Sequence, residues 1–342
     1  MPCGAAGAVP DDGFDDRVQL QAALDSGCLE LEDGTYDIDT PPVPRARAML
    51  YLRAGGRISG VGPASVIAFR GAAGGRDWVG IQLADHVAIS RVSFVTGGLT
   101  PGSTNEQTHV LQGMGPLPDV KIDHVSFDHP VTAGSRRGDA IQLVGYEPYP
   151  DGTGDKRIYD VDIGYVDFIS AARSGVAIYG GCHRVRIHDS IFRDTKSQDF
   201  DGEGLGGCTD LEIDHNTFNV GPHQASAIAV SLQNAARAHL HDNVYNGRGV
   251  QLYGCSDCEL DHELIVQRLP IASGALIIQK MSSVVRVHDV RIVREASAGP
   301  NNVIVVWRRD QGAPDHVSIA DSTIIQHTAG NVISGVGIVG LR

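Results

Sequence analysis

A short alternation of apolar and polar positions recurs along the chain. It reads VAISRVSF at 87–94, VKIDHVSF at 120–127, VDIGYVDF at 161–168 and VRIHDSIF at 185–192, and it returns as LEIDHNTF, AHLHDNVY, CELDHELI, VRVHDVRI and VSIADSTI. The nine copies begin at 87, 120, 161, 185, 211, 238, 258, 285 and 317. Alternation with a period of two marks strands that bury one face. Between the copies lies a second strand pattern set off by glycines: VGIQLAD (79–85), DAIQLVG (139–145), SGVAIYG (174–180), RGVQLYG (248–254) and ALIIQK (275–280). Each repeat therefore supplies at least two strands. Its apolar face can be covered only by the next repeat, so the units must stack.

These repeats predict an all-β solenoid of about ten coils, with residues 1–342 forming a single domain. A leucine-rich repeat needs a Leu and Asn ladder, and a propeller needs about four strands per unit of near-constant length. Neither pattern is present. Residues 14–26 read as a short amphipathic helix that plugs the first coil, with Phe14, Val18 and Leu24 as its apolar positions and Asp15 or Asp16 as N-cap. Two spans, 97–118 and 145–159, read as loop insertions that build a wall on one face of the solenoid. Tyr146, Tyr149 and Tyr159 of the second could stack on sugar rings. The strand-like Gly337–Gly340 shows no cap, and an open last coil invites self-association into a homo-oligomer.

The run from Gln19 to Gly27, followed by Cys28-Leu29-Glu30-Leu31-Glu32-Asp33-Gly34-Thr35-Tyr36-Asp37-Ile38, resembles the opening turns of the pectin-lyase-like superfamily of pectate-lyase, glycosidase and tailspike type. Tyr51-Leu52 and Ile58-Ser59-Gly60-Val61-Gly62 continue the likeness. The resemblance implies a right-handed single-stranded parallel β-helix and action on a carbohydrate polymer. It extends over nearly the whole chain as architecture, and its motifs specify a fold rather than a substrate. The paired-Asp and Gly-His-Gly series of polygalacturonases is missing, and so is a lyase Arg or Lys constellation.

Composition narrows the partners. The chain has 28 Lys and Arg against 41 Asp and Glu, a formal charge of −13, and no basic run, which argues against nucleic acid. No stretch of about 18 apolar residues is available to cross a membrane. Met1–Ala6 lacks the features of a signal peptide, so an extracellular or virion-associated location requires a leader or anchor that has been removed. The six cysteines are too few for a disulfide scaffold. Cys182, Cys208 and Cys255 fall in one column and read as stacked, reduced core thiols, and the Cys255-x-x-Cys258 pair has no second ligand pair beside it.

Aligning the coils through their Gly-Cys steps isolates one that differs. Where a neighbouring coil carries Arg173, Gly175 and Ala177, this one carries Asp199, Asp201 and Glu203. Alternating with Phe200, Gly202 and Gly204, these residues would project three carboxylates from one outer face of a strand. Crowded like charges raise at least one pKa and divide acid from base. Successive outward residues lie roughly 6.5–7 Å apart, at the lower edge of the range of about 6.5–9.5 Å used by inverting glycosidases. The same ledge suits Ca²⁺; no other cofactor is implied.

Around this ledge, Gln82, Gln142 and Gln251 align with Glu203 as an amide ladder for sugar hydroxyls. Asp139, Arg173, Lys196, His223 and Arg248 are further candidates for substrate binding, with His223 placed to assist proton transfer. The remaining histidines, His124, His188, His215, His241, His262 and His288, sit beside Asp in the polar bend of the repeat and read as a turn ladder. The leading expectation is a glycoside hydrolase that uses Asp199, Asp201 and Glu203 on a polysaccharide or oligosaccharide. The first alternative is a polysaccharide lyase or uronate epimerase with Arg173 or Lys196 as base. The second is a noncatalytic glycan-binding adhesin or phage tail fibre.

Overall fold

The computed structural model describes residues 3–39, 48–72, 78–100, 107–129, 138–145, 157–204, 206–269, 274–279, 282–298, 303–307, 315–327 and 333–335. Its strands form three parallel sheets of eleven, in which each strand pairs with the one three elements further on. The chain is thus a right-handed β-helix whose coils each contribute three strands. The first sheet begins with Cys28–Leu31, the second with Gly34–Asp39 and the third with Ala48–Tyr51. The nine repeats of the sequence each span a first-sheet strand, a bend and a second-sheet strand. Cys28–Leu31 and Arg57–Gly60 extend the first sheet at its N-terminal end. The glycine-flanked pattern forms the third sheet.

The bend between the first two sheets is one residue in the left-handed region, such as Arg91, His124, Tyr165, Asp189 or His215 (φ 48° to 56°). Apolar positions on either side point inward and stack on their counterparts one coil away. Phe94, Phe127, Phe168, Phe192, Phe218 and Tyr245 form a continuous buried column, with successive ring centroids 4.3–5.4 Å apart. Each ring buries the face of the next, which explains why the last position of the repeat is so often Phe.

Several details differ from the sequence expectations. The helix is Arg17–Asp25, and it docks on the first coil through Leu20, Ala23 and Leu24. Phe14 and Val18 are exposed. Asp16 is the N-cap by position, but its carboxylate accepts from Val9 N and Asp37 N rather than from the helix, and Asp15 accepts from Arg17 N. Much of the span 97–118 is strand, and its residues 101–106 lie outside the described residues. It contains the end of Ser93–Thr100, all of Thr108–Met114 in the third sheet and the start of Leu117–Asp123. Residues 146–156 of the other span, including Tyr146 and Tyr149, lie outside the described residues, as do Gly337–Gly340; Tyr159 belongs to the strand Ile158–Gly164.

The cysteines correct the expectation of reduced thiols. Cys3 is disulfide-bonded to Cys28, and Cys182 to Cys208 on the adjacent coil. Stacking at one column brings two Cα atoms to 4.4 Å, close enough for a covalent bond. Cys255, which shares that column but is separated from Cys208 by Ala235, stays a buried free thiol, as does Cys258.

Candidate functional site

The third sheet carries the unusual coil on the strand Phe200–Glu203. Phe200 points into the core, so Asp201 and Glu203 face outward. The register places Asp201 opposite Ala177 and Glu203 opposite Tyr179, a shift of two residues from the alignment through the Gly-Cys steps. The cause lies in the next corner. Two residues separate Tyr179 from Cys182, but four separate Glu203 from Cys208. The longer corner depends on Gly207 (φ +59°), where a Cβ would lie 1.9 Å from the carbonyl oxygen of Asn234.

The corrected register moves the amide ladder. Gln82, Gln112, Gln142, Ala177, Asp201, Ser231 and Gln251 occupy one outward column, so the glutamines are in line with Asp201 and not with Glu203. Gln112 Nε2 donates to Gln142 Oε1 (2.6 Å), and Gln82 Nε2 donates to the Gln112 carbonyl (2.9 Å). The column is well shielded around the carboxylate: Gln142, Ala177, Asp201 and Ser231 are all buried.

Three consecutive coils converge here. Asp139, fully buried, accepts from Arg173 Nε (2.8 Å) and Nη2 (2.9 Å) and from the Ser174 N–H (3.2 Å), and it lies 3.2 Å from His109 Nδ1. The Arg173 guanidinium extends over the Tyr179 ring at 5.2 Å and shares a hydrogen bond with its hydroxyl. Burial opposes the charge of Arg173, but Asp139 and Tyr179 together hold its pKa above the ordinary arginine value. Burial also raises Tyr179, against the pull of Arg173, so the phenol remains a neutral donor at neutral pH.

Asp201 sits beside this group, hydrogen-bonded to Glu203. Burial, followed by the Glu203 charge, lifts its pKa to about 7, and Asp139 adds to the effect while Arg173 opposes it. Two neighbouring carboxyls cannot both ionise cheaply, so Asp201 keeps its proton until close to neutrality. A group in this state can give up a proton and take one back.

Asp199 does not join them. It precedes the strand at a corner, where alternation no longer sets side-chain direction, and it is fully buried. One oxygen accepts from Thr195 Oγ1 and the other from Arg248 Nη1 (3.0 Å). Arg248, also fully buried, bonds Thr195 and the Ile228 carbonyl as well, so it cannot reach a substrate. A ledge of three carboxylates is therefore not formed, and Asp201 and Glu203 alone remain to meet a cation or a sugar.

The other candidates are dispersed. His223 is exposed and paired with Asp194 (2.6 Å). Lys196 is half-buried, and its backbone N–H bonds the Ala171 carbonyl on the preceding coil. Gln251 is half-buried opposite Ser231. Tyr179 and His109 were missed by the sequence reading. Tyr179 could have been found from the outward Tyr shared by SGVAIYG and RGVQLYG once the register was right. His109 had no such signal.

No protein-family model matches the chain, and no curated protein matches it in sequence. Solved structures do share its fold. The A-module of a mannuronan C-5 epimerase of Azotobacter vinelandii superposes with a TM-score of 0.61 at 15% identity, covering 99% of this chain and 100% of that one. A surface adhesin of Streptococcus pneumoniae gives 0.65 at 13% identity, covering 98% and 92%. A tailspike of E. coli bacteriophage HK620, solved with a pentasaccharide, gives 0.63 at 14% identity, covering 97% of this chain and 63% of that one. These likenesses show a shared right-handed parallel β-helix fold.

Proposed function

We propose that the protein is a carbohydrate-active enzyme, a glycoside hydrolase that cleaves a neutral glycan lying along the outer face of the third sheet. The observation that carries this reading is the placement of Asp201 and Glu203 on one outward face of a strand, where burial and the neighbouring Glu203 lift the Asp201 pKa to about 7. Asp201 protonates the glycosidic oxygen and Glu203 activates water. Their Cα positions, two residues apart on a strand, lie roughly 6.5 Å from one another. A sugar oxygen and a water entering between the side chains would open the pair toward the separation of about 6.5–9.5 Å that inverting enzymes use. Gln142 and Gln251 supply amides for hydroxyl groups, and neutral Tyr179 supplies a ring and a donor.

Charge favours a neutral substrate over a uronate. The guanidinium nearest Asp201 is already paired through Nε and Nη2 with Asp139, so its charge is offset, and two further carboxyls face the groove at Asp201 and Glu203. An incoming uronate would meet repulsion without a free cation from Arg173 to offset it.

Support from the neighbours is limited to the fold they share, but two of them are named for glycans, the mannuronan epimerase and the tailspike with its pentasaccharide. The test is incubation with a panel of neutral and uronic polysaccharides, using wild type, Asp201→Asn and Glu203→Gln. New reducing ends without ultraviolet absorbance, insensitive to chelator and lost in both variants, support hydrolysis. An unsaturated, ultraviolet-absorbing product would instead indicate a lyase, and C-5 inversion without cleavage an epimerase. Glycan binding without turnover, retained in both variants, would indicate a binding rod of the adhesin or tail-fibre kind.

A further inference from the structure

The His and Asp residues of the bends are hydrogen-bonded to one another in coil after coil. Pairs form at Asp123–His124, His188–Asp189, Asp214–His215, His241–Asp242, Asp261–His262 and His288–Asp289, each with Nδ1 to Oδ2 at 2.8–3.0 Å. A turn ladder accounts for a single pair. It does not account for the place where an Asp-His bend lies beneath a His-Asp bend and two imidazoles meet one carboxylate.

That place is His215, His241 and Asp242. Each offers a ligand atom within 4.8 Å of the other two. Asp242 Oδ2 lies 2.9 Å from His241 Nδ1 and 3.9 Å from His215 Nε2. A tetrahedral Zn²⁺ with bonds of about 2.0–2.1 Å sets its ligand atoms roughly 3.3 Å apart, a value these two distances bracket. The imidazole planes are nearly perpendicular, at 83°, with centroids 5.8 Å apart, so their lone pairs can aim at a common point without ring stacking.

The remaining ring nitrogens are held in the way metal-binding histidines require. His215 Nδ1 bonds Asp214 (2.9 Å), which is fully buried and fixed by Arg186 through both oxygens (2.9 and 2.6 Å). His241 Nε2 bonds Glu212 (3.2 Å). A carboxylate on the far nitrogen fixes the tautomer and orients the ring toward a metal. Oxygen-seeking Ca²⁺ and Mg²⁺ have little use for two imidazoles, whereas late first-row divalent ions favour them.

We propose that His215, His241 and Asp242 bind one late first-row divalent metal ion, with Zn²⁺ as the reference ion, and that it clamps two adjacent coils at the bend between the first and second sheets. This site is independent of the Asp201–Glu203 pair, which lies on the third sheet. The chain contains its own control. Asp261–His262 and His288–Asp289, with Glu259 on His288 Nε2 (2.8 Å), repeat the same arrangement two coils on, yet His262, His288 and Asp289 do not form such a convergent group.

Isothermal titration of chelator-stripped protein with ZnCl₂, paired with metal analysis after dialysis, tests the assignment. Wild type is expected to bind one equivalent saturably, to melt higher with Zn²⁺ than without it, and to ignore a tenfold excess of Ca²⁺. His215→Gln and His241→Gln should lose that equivalent, while His262→Gln and His288→Gln should keep it. Co²⁺ in place of Zn²⁺ should give ligand-field absorption that disappears in the first two variants only, which separates ligation from any effect on folding. Absence of saturable binding by wild type, or retention of the full equivalent in both His215→Gln and His241→Gln, would overturn the proposal.

Discussion

Arg248 and Asp199 are 49 residues apart in sequence and form a 3.0 Å ion pair, with both side chains fully buried. Burial pushes the Asp199 pKa up to about 6, and the Arg248 charge and the Thr195 hydroxyl hold it from rising further. Desolvated charges are tolerated when paired and costly when left alone. Replacing either residue by Ala should therefore destabilise the fold by about 3–5 kcal/mol, measured by denaturant unfolding. The Asp199→Ala/Arg248→Leu double variant should lose less than the sum. A normally stable Asp199→Asn protein without activity would return Asp199 to the chemistry.

Asp201 gives a pH-dependent outcome. Its folded pKa of about 7 lies above the unfolded value of about 3.9. Its contribution to stability is therefore fully present below pH 4 and lost as pH rises through 7. Asp201→Asn should be more stable than wild type at pH 8 by about 1–3 kcal/mol, with the difference vanishing near pH 4. The same variant should lose hydrolysis, and the wild-type rate should fall above pH 7. Equal melting temperatures at both pH values would contradict this.

Glu263 is a second buried acid, and its Oε1 accepts from Asn243 Nδ2 (2.8 Å). Burial raises its pKa well above the usual glutamate value, so the fold favours its protonated form. That stability is complete below the unfolded pKa, and each pH unit above it costs about 1.4 kcal/mol until the folded value is reached. Glu263→Gln keeps an acceptor for Asn243 and needs no proton. It should raise the melting temperature at pH 8 and leave it nearly unchanged at pH 4.

The Cys182–Cys208 disulfide closes a loop of 26 residues beside the corner that carries Glu203. Removing it in a Cys182→Ser/Cys208→Ser variant should cost about 3 kcal/mol, read as a lower denaturation midpoint under non-reducing conditions. An unchanged midpoint would show that these thiols are not joined in the folded protein.

What the sequence determined by itself was the repeat. Strand periodicity is local, and its nine copies specify stacked coils because an inward Val, Ile or Phe has only its counterpart on the next coil to cover it. The coil that carries the unusual carboxylates was visible for the same reason: Asp201 and Glu203 break a pattern that each neighbouring coil keeps. What only the tertiary structure decided was everything that crosses between coils at a corner. The two extra residues between Glu203 and Cys208 shift the register, so Asp201 and not Glu203 joins the glutamine column. Asp199 turns from the ledge into a buried pair with an arginine two coils away, and Cys182 finds Cys208 covalently. Corner lengths carry no periodic signal, and side chains there answer to long-range partners rather than to alternation. For the same reason His215 and His241 read as ordinary turn residues in the chain, and converge on Asp242 only when one coil lies on the next.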